Sequence, residues 1–357
     1  MKDRIYVCHT YYHVYVTFLK ELNMPKEKRG QATLVLSRMS NDFETFADRA
    51  RASGLFEEVL EYDEKKPEFF ESLAPLKADK GNIILNMISR IRFCRAFAKL
   101  QAPFVPVNFK KYKEIYVYCD SDPIGYYLNY NRIYYHALED GLNCLAYYDT
   151  ARFDNRGAFG LKVFMSKRLN LIFIQNGYGR YCRDMEVNDI SKIKYPCPYY
   201  KEVPRQQYVD ALSTEDTQII LKAFVKDYDA LTLALKQADA SGREKVLVLT
   251  EPLCDLKTRE RIFRDIIAMY GTDAVVVLKP HPRDELDYNA LFSAYFRIDK
   301  SVPMEMLNFI PGAHFDKVIS VLTETAAIQF AEEKIKLGPD FMDAYEAPHI
   351  HRQNEQI

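Results

Sequence analysis

Short apolar runs rich in β-branched and aromatic residues alternate along the chain with segments whose apolar positions recur every three or four residues. This alternation is typical of parallel α/β sheets, in which a helix follows each strand. In the first series the predicted strands are residues 4–8, 32–36, 56–62, 114–119 and 132–138, and the predicted helices are residues 12–22, 42–53, 82–100 and 123–130. The series predicts one doubly wound, Rossmann-like domain over residues 1–155.

A second series begins near residue 241 and predicts a smaller α/β domain over residues 241–357. Its predicted strands are residues 245–250, 274–279, 295–298 and 315–321, and its predicted helices are residues 257–270 and 324–333. Residues 156–240 lie between the two series and contain helical patterns with a loop rich in proline and tyrosine. They are interpreted as a helical connector that forms a dimer contact or a lid. The predicted fold class is α/β, with two doubly wound domains that face each other across a cleft.

The composition narrows the classes of function. The 357 residues carry 49 Lys+Arg and 50 Asp+Glu, a net charge of −1, which excludes a nucleic-acid binder that relies on bulk positive charge. The hydrophobic content of 48% with 28% charged residues is that of a folded, soluble protein. No apolar run approaches the ~18 residues of a transmembrane helix, and the first residues are interpreted as a strand rather than a signal peptide.

Seven cysteines are spread along the sequence without a CxxC or CxxH pair, so no metal site is predicted. Their odd number fits a reducing cytoplasm, and a position at the inner face of the membrane remains compatible with it. Peripheral membrane association through local basic or aromatic patches, and a homodimer, stay open. The sequence lacks GxGxxG and GxxxxGK[ST], which disfavours a dinucleotide-dependent dehydrogenase or a P-loop enzyme.

Polar motifs follow several predicted strands, at the edge where open α/β sheets bind ligands. The first is the turn Glu139-Asp140-Gly141, where a carboxylate could accept a proton from an attacking hydroxyl, or which is a simple acidic turn. The second is the loop that contains Thr250, Pro252 and Asp255. Asp255 is either a cleft-facing carboxylate or the cap of the following helix.

The third motif is Lys279-Pro280-His281-Pro282-Arg283, in which two prolines flank a histidine between cations that could neutralise a leaving phosphate. The fourth covers residues 320–327, interpreted as a strand running into a helix whose N-terminus binds an anion or is merely capped. Its polar members are Thr323, Glu324 and Thr325. Two weaker candidates are His9-Thr10, on the acceptor side or in a plain loop, and Pro303 with Glu305, near a nucleotide or at a helix start.

Taken in order, these motifs resemble those of the bacterial sialyltransferases, and most closely glycosyltransferase family 52, the lipooligosaccharide sialyltransferase family. The resemblance rests on Cys-x-Thr after the first strand, the acidic-acidic-Gly turn, the loop from Pro252 to Asp255, His281-Pro282, and the hydroxyl-containing turn at 323–325. The sequence departs from the family where Leu253 and Cys254 separate Pro252 from Asp255. It departs again at Glu324, where a serine-type residue is common.

The resemblance implies a GT-B-type fold, CMP-sialic acid as donor, and an inverting displacement that needs no metal or cofactor. His281 would contact the donor phosphate. Asp255 best matches the family's general base, and Glu139 or Asp140 is the rival, because that turn supplies the base in related sialyltransferase families. The remaining donor-side residues are Gly141, Thr250, Pro252, Lys279, Pro282, Arg283, Pro303, Glu305, Thr323, Glu324 and Thr325.

The resulting hypothesis is an inverting sialyltransferase that moves sialic acid to a galactose-type hydroxyl of a bacterial surface glycan, in lipooligosaccharide or capsule. Its partners are a nucleotide sugar and a glycan acceptor, not nucleic acid. One alternative is a GT-B enzyme that uses another nucleotide sugar. The other is a non-catalytic nucleotide-binding scaffold.

Overall fold

The computed structural model describes residues 1–39, 42–43, 45–118, 120–141, 145, 149–310, 312–325 and 328–351. The chain divides into two compact units, Met1–Asp216 and Thr217–Ile357. Four residues of the predicted motifs and cysteine set lie outside the described residues: Cys119, Cys144, Ala326 and Ala327.

The first unit is built on a parallel sheet of seven described strands, in the order β3-β2-β1-β4-β5-β6-β7. The strands are β1 (Lys2–Cys8), β2 (Ala32–Ser37), β3 (Phe56–Tyr62), β4 (Tyr112–Tyr118), β5 (Tyr135–Leu138), β6 (Cys182–Val187) and β7 (Tyr200–Glu202). The helices are α1 (Tyr11–Leu22), α2 (Phe46–Ala52), α3 (Ala74–Lys77), α4 (Ile83–Gln101), α5 (Pro123–Tyr130), α6 (Thr150–Phe153), α7 (Phe159–Lys167) and α8 (Arg205–Asp210). Fully buried apolar side chains of β1, β4 and β5 form the core, as expected for strands covered on both faces.

The first unit extends beyond the predicted boundary at residue 155. Strands β6 and β7 lie in the segment interpreted as a helical connector, and they pair with β5 and with each other as the outer part of the first sheet. The sequence CRDMEV of β6 lacks a long apolar run, so its hydrophobic pattern does not predict a strand. The connector therefore supplies structure to both units instead of forming a domain of its own.

The second unit contains a parallel sheet of five described strands in the order β10-β9-β8-β11-β12. The strands are β8 (Lys245–Leu249), β9 (Val275–Lys279), β10 (Phe296–Arg297), β11 (Phe315–Ser320) and β12 (Ala331–Lys336). The helices are α9 (Thr214–Phe224), which spans the boundary between the units, α10 (Tyr228–Ala240), α11 (Leu256–Tyr270), α12 (Tyr288–Leu291), α13 (Gly338–Met342) and α14 (Pro348–His351). Both series thus form doubly wound parallel sheets, as the sequence predicts.

One predicted element is wrong. None of the described residues in the range 324–333 is helical, and Ala331–Lys336 is instead the edge strand β12, parallel to β11. The sequence AEEKIK favours a helix by intrinsic propensity, but pairing with β11 overrides that preference. Its glutamates and lysines face solvent, as is usual on an edge strand that must not pair with another chain.

None of the described helices combines the length and the apolar composition that crossing a bilayer requires.

Candidate active site

The order of strands in the first sheet reverses between β1 and β4, which is the position where open α/β sheets form a ligand crevice. Polar side chains follow the strands on both sides of this point. They come from the ends of β1 to β5: His9, Ser37, Glu64, Asp122 and Asp140. The strand ends therefore gather acidic and imidazole groups from distant parts of the sequence at one edge.

His9 lies at the centre of this group and is buried. Its Nε2 is 2.8 Å from Glu64 Oε2 and 3.4 Å from Asp122 Oδ2. Glu64 also accepts hydrogen bonds from Ser37 Oγ and from the backbone N–H of Ile124, each at 2.7 Å. Burial acts to lower the pKa of His9, but the Asp122 and Glu64 carboxylates outweigh burial and raise the pKa to about 9. His9 is therefore an imidazolium at neutral pH.

This arrangement predicts that His9 makes folding stability depend on pH. Between the ordinary pKa of 6.5 and the folded value of about 9, the folded chain holds a proton that the unfolded chain has released. The contribution of His9 is complete below pH 6.5 and is lost as the pH rises through 9, a change of about 3 kcal/mol. Urea unfolding at pH 6.5 and at pH 9 should therefore show that the free energy of unfolding decreases less for His9→Gln than for the wild type.

The matched control is His314→Gln, which alters an exposed histidine of the second unit. An equal decrease in stability for the wild type and His9→Gln would contradict the charge assigned to His9.

His13, on the first turn of α1, holds the Asp140 carboxylate. The backbone N–H of His9 donates to His13 Nδ1 at 3.0 Å, so the ring proton of a neutral His13 lies on Nε2. Nε2 makes a hydrogen bond to Asp140 Oδ1. Burial lowers the pKa of His13, against the raising effect of Asp140, and its ring stacks on Tyr118 with centroids 4.4 Å apart. A neutral imidazole in a fixed tautomer thus orients the carboxylate.

The two adjacent carboxylates of the acidic turn have different environments. Glu139 points inward, is 1% exposed, and has Oε1 3.7 Å from Arg205 Nη2. Burial raises its pKa, and Arg205 acts in the opposite direction. The Asp140 side chain is 42% exposed. Gly141 follows with φ of 129°, a conformation that a side chain would strain. Of this pair, only Asp140 is placed to meet a solvent-borne substrate.

Thr10 has a local role in the structure. Its side chain accepts a hydrogen bond from the backbone N–H of His13 at 3.2 Å and caps α1. It therefore fixes the start of the helix that carries His13.

In the second unit, His281 follows β9 and is anchored at both ends. Its backbone N–H donates to Thr250 Oγ1 at 3.2 Å, and its Nδ1 accepts from the backbone N–H of Arg283 at 3.1 Å. Burial, together with the charges of Arg283 and Lys279, lowers the pKa of His281 to about 4. The ring is therefore neutral at pH 7, with its proton on Nε2. That N–H is a donor suited to an anionic oxygen.

A buried ion pair that the sequence does not predict supports the loops after β8 and β9. Arg259 on α11 pairs with Asp284 at 2.5 Å and donates to the carbonyls of Leu253 and Cys254 at 2.7 and 2.9 Å. The other oxygen of Asp284 accepts from Thr250 Oγ1 at 3.3 Å. This network ties the loop after β8 to the loop after β9. No local sequence pattern predicts this network, because its members are separated by up to 34 residues.

The other residues predicted around His281 are placed less directly. Lys279 is buried, and its Nζ donates to the carbonyls of Pro280 and Lys300 at 3.0 and 3.3 Å. Burial lowers its pKa to about 8. It therefore supports the backbone of the loop after β9 and adds positive charge near His281. Arg283 and Pro252 are exposed, Pro282 and Glu305 are half-buried, and Pro303 is buried at the start of a short 3₁₀ helix.

The turn after β11, predicted as a phosphate site, already holds a carboxylate of the protein. Glu251 Oε1 accepts hydrogen bonds from the backbone N–H groups of Val321, Leu322 and Thr323 at 2.8, 3.0 and 3.1 Å. Successive N–H groups of this kind form an anion nest, and here the anion is Glu251. The helix predicted to begin at residue 324 is wrong, because none of the described residues there is helical. In the structure Thr325 is buried and Glu324 is exposed.

Glu251 is expected to be an important stabiliser of the second unit. Glu251→Gln keeps the size of the side chain but removes its charge and turns an amide NH₂ toward backbone donors. We expect the free energy of unfolding to fall by about 1.5–3 kcal/mol, the usual value of hydrogen bonds to a charged group. Urea unfolding measures this difference.

The control is Glu285→Gln, which makes the same charge change at an exposed position. Equal losses of stability in the two variants would contradict the role given to the nest.

Asp255 is the N-cap of α11. Its Oδ1 accepts from the backbone N–H groups of Lys257 and Thr258 at 3.0 and 3.1 Å, and its Oδ2 accepts from Thr258 Oγ1 at 2.6 Å. The hydrogen bond from Thr258 lowers the pKa of Asp255 and makes it a weaker proton acceptor. The preceding residue, Cys254, has φ of 47°. The loop from Pro252 therefore reaches this cap through a residue in the left-handed region.

Within the described residues, no group of three or more His, Cys, Asp or Glu side chains is arranged to hold a metal ion. The expected independence from metal stays a prediction.

A family model described as glycosyltransferase family 52 matches residues 76–338, about three quarters of the chain, from strand β4 of the first sheet through the whole second sheet. The chain belongs to glycosyltransferase family 52. The predicted family is thereby confirmed, and with it the enzyme class. A curated relative of this family member, an uncharacterised protein of Haemophilus influenzae, is 32% identical over 110 residues. That match covers 29% of this chain and only 35% of the relative.

Two solved structures resemble the family 52 chain over most of its length. The α/β-galactoside α-2,3-sialyltransferase of Photobacterium phosphoreum has a TM-score of 0.54 and 13% identity, covering 94% of this chain and 90% of that one. The GT-B domain of a Photobacterium damselae sialyltransferase has a TM-score of 0.50 and 12% identity, covering 90% and 86%. At such identities the likeness shows the fold, and the predicted GT-B fold is confirmed.

Proposed function

We propose that this glycosyltransferase moves sialic acid from CMP-sialic acid to a galactose-type hydroxyl of a bacterial surface glycan, with inversion and without a required metal or cofactor. The observation that carries the proposal is His281, a neutral imidazole anchored at the carboxyl end of a buried strand. Membership of family 52 supports the enzyme class. The two solved structures of the same fold are named as sialyltransferases, one of them acting on galactosides.

On the donor side, the bond between the sugar and the phosphate breaks and CMP leaves with the bonding electrons. His281 donates its Nε2–H to a phosphate oxygen as negative charge develops there. Lys279 adds positive charge beneath the loop. Because Glu251 occupies the backbone nest after β11, the proposal assigns phosphate recognition to side chains.

On the acceptor side, the attacking hydroxyl must lose a proton as its oxygen bonds to the anomeric carbon. We assign this proton to Asp140, which His13 orients and which keeps part of its surface exposed. Asp255 is the better match to the family motif, but both of its oxygens accept hydrogen bonds at the start of α11. The geometry therefore favours Asp140 as the general base.

The test is release of CMP from CMP-sialic acid, with lactose as trial acceptor, in the presence and absence of EDTA. We expect EDTA-resistant release, formation of sialyl-lactose, and a rise in melting temperature with CMP but not with UDP or GDP. A rise in melting temperature with UDP or GDP but not with CMP would show that the donor is another nucleotide sugar. CMP binding without any release from CMP-sialic acid, across a panel of galactosides, would favour the non-catalytic scaffold.

A further inference from the structure

Asp122 occupies the N-cap position of α5, the helix that follows β4, but its side chain does not cap the helix. An aspartate at this position normally accepts a hydrogen bond from the backbone N–H of the second or third helical residue. The first helical residue, Pro123, has no N–H, and the N–H of Ile124 donates to Glu64 Oε1 at 2.7 Å. The N–H of Gly125 donates to the backbone carbonyl of Asp122 at 2.9 Å. The Asp122 carboxylate is therefore released from the role that its position usually has.

This carboxylate lies instead beside His9, at the edge of the sheet that holds the candidate general base. Asp122 Oδ2 is 3.4 Å from His9 Nε2, and the Asp122 side chain is 23% exposed. Glu64 lies closer to the same nitrogen, at 2.8 Å, and is buried with hydrogen bonds from Ser37 and Ile124. Glu64 thus compensates the charge of His9 inside the protein, and Asp122 is the carboxylate that a ligand can reach.

Asp122 and Asp140 follow neighbouring strands of the first sheet. Strands β4 and β5 pair in parallel, and paired strands lie about 4.8 Å apart. Burial raises the pKa of Asp122, His9 lowers it, and the charges of Glu64 and Asp140 raise it further, so the carboxylates are close enough to interact. A sugar that presents one hydroxyl to Asp140 therefore presents an adjacent hydroxyl near Asp122.

The charge of this edge favours a neutral ligand. Three carboxylates, those of Glu64, Asp122 and Asp140, stand against the single imidazolium of His9. An anionic donor such as CMP-sialic acid is repelled here, whereas the proposed donor side of the second unit carries Lys279 near His281. A neutral glycan meets no such repulsion, and its hydroxyls can donate to a carboxylate, which is an acceptor only.

We propose that Asp122 is the residue that selects the acceptor sugar. Its carboxylate accepts a hydrogen bond from a hydroxyl of the galactose-type ring adjacent to the hydroxyl that is attacked. This inference rests on the proposed function, from which it takes the class of acceptor. A sugar that lacks this hydroxyl leaves the carboxylate without its partner and is rejected for that reason. Asp122 takes no part in the proton transfer assigned to Asp140.

The experiment measures the binding of lactose and of its monodeoxy analogues, each lacking one hydroxyl of the galactose ring. Ligand-observed NMR with CMP present gives these affinities without any turnover. We expect Asp122→Ala to weaken lactose binding by about 10–100-fold, the value of a hydrogen bond to a charged group. One analogue that keeps the attacked hydroxyl should bind the wild type and Asp122→Ala equally, because it lacks the partner of Asp122. Asp122→Asn keeps a neutral oxygen acceptor and should lie between.

In the transfer assay, Asp122→Ala should raise the KM for lactose by a similar factor and leave turnover at saturating lactose close to that of the wild type. Its urea unfolding should match the wild type, because the side chain that is removed does not cap α5. The matched control is Asp48→Ala, which removes an exposed carboxylate from α2 of the same unit. This control should bind lactose as the wild type does.

Four results would overturn the inference. The wild type could bind no galactoside, or Asp122→Ala could bind them all as the wild type does. Equal weakening toward lactose and every analogue would show a structural role, because no single hydroxyl would be the partner of Asp122. A large fall in turnover with unchanged lactose affinity would assign Asp122 to proton transfer. Hydroxyl-specific binding of lactose without release of CMP from CMP-sialic acid would uphold the inference and refute the proposed function alone.

Discussion

Asp140→Asn is expected to lower the turnover of sialyl transfer by about 10²–10⁴-fold, the usual contribution of a positioned general base. CMP binding should persist, because Asp140 belongs to the first unit and the proposed phosphate contact to the second. Asparagine keeps the shape of the side chain and can still meet His13, but it cannot take a proton. Turnover with saturating CMP-sialic acid and lactose, beside a melting shift with CMP, separates loss of chemistry from loss of binding.

Two further variants test whether Asp140, oriented by His13, is the general base rather than Asp255. His13→Phe keeps the aromatic stack on Tyr118 but removes the Nε2–H that orients Asp140, and should cost about 10–100-fold in turnover. Asp255→Asn should leave turnover close to that of the wild type and affect mainly the start of α11. If Asp255→Asn abolished turnover and Asp140→Asn did not, the base would be Asp255, as the family motif implies.

His281→Ala is expected to reduce turnover by about 10²–10³-fold and to weaken CMP binding, because it removes a donor aimed at developing phosphate charge. His281→Gln is the matched variant, since its amide nitrogen can reach the position of Nε2. We expect it to recover part of both turnover and affinity. If alanine and glutamine lost the same amount, hydrogen-bond donation would not be the role of this residue.

The depressed pKa of His281 adds a test of its charge. The free protein holds a neutral ring above pH 5, because the pKa is about 4. A bound phosphate favours the protonated ring and raises this pKa, so the wild type should bind CMP more tightly as the pH falls from 7 toward 5. The CMP phosphate itself also titrates in this pH range. Because His281→Gln lacks the imidazole, the pH dependence of its CMP affinity measures the contribution of the phosphate alone. Identical pH dependence in the two proteins would show that His281 does not face the phosphate.

The sequence was most informative where structure depends on local patterns. Buried parallel strands such as β1, β8 and β9 are continuous apolar runs, and the polar residues that follow them lie at the carboxyl edge by topology alone. His9, Asp140 and His281 are therefore predictable as candidate site residues from the sequence alone. The ordered motifs also identified the family.

Features that depend on distant partners could not be predicted in this way. The pairing of β12 with β11 overrides a helix-favouring sequence, and the β6 strand has no apolar run to mark it. The Glu251 carboxylate meets N–H groups about seventy positions away, and His13 meets Asp140 across 127 positions. A titratable residue on an apolar helix is ambiguous until its partner is known. For this reason the sequence alone does not point to His13, and it leaves the choice of general base between Asp255, Glu139 and Asp140 open.

The internal occupation of the nest after β11 has a consequence for how this enzyme could change its donor. Backbone N–H groups recognise phosphate whatever side chains surround them, so a nest that binds substrate resists alteration by point mutation. Here Glu251 takes that position permanently. Under the proposed roles, recognition of the leaving group falls to side chains such as His281, each of which one codon change can replace. Donor preference in such a protein is open to stepwise evolution, without any rebuilding of the main chain.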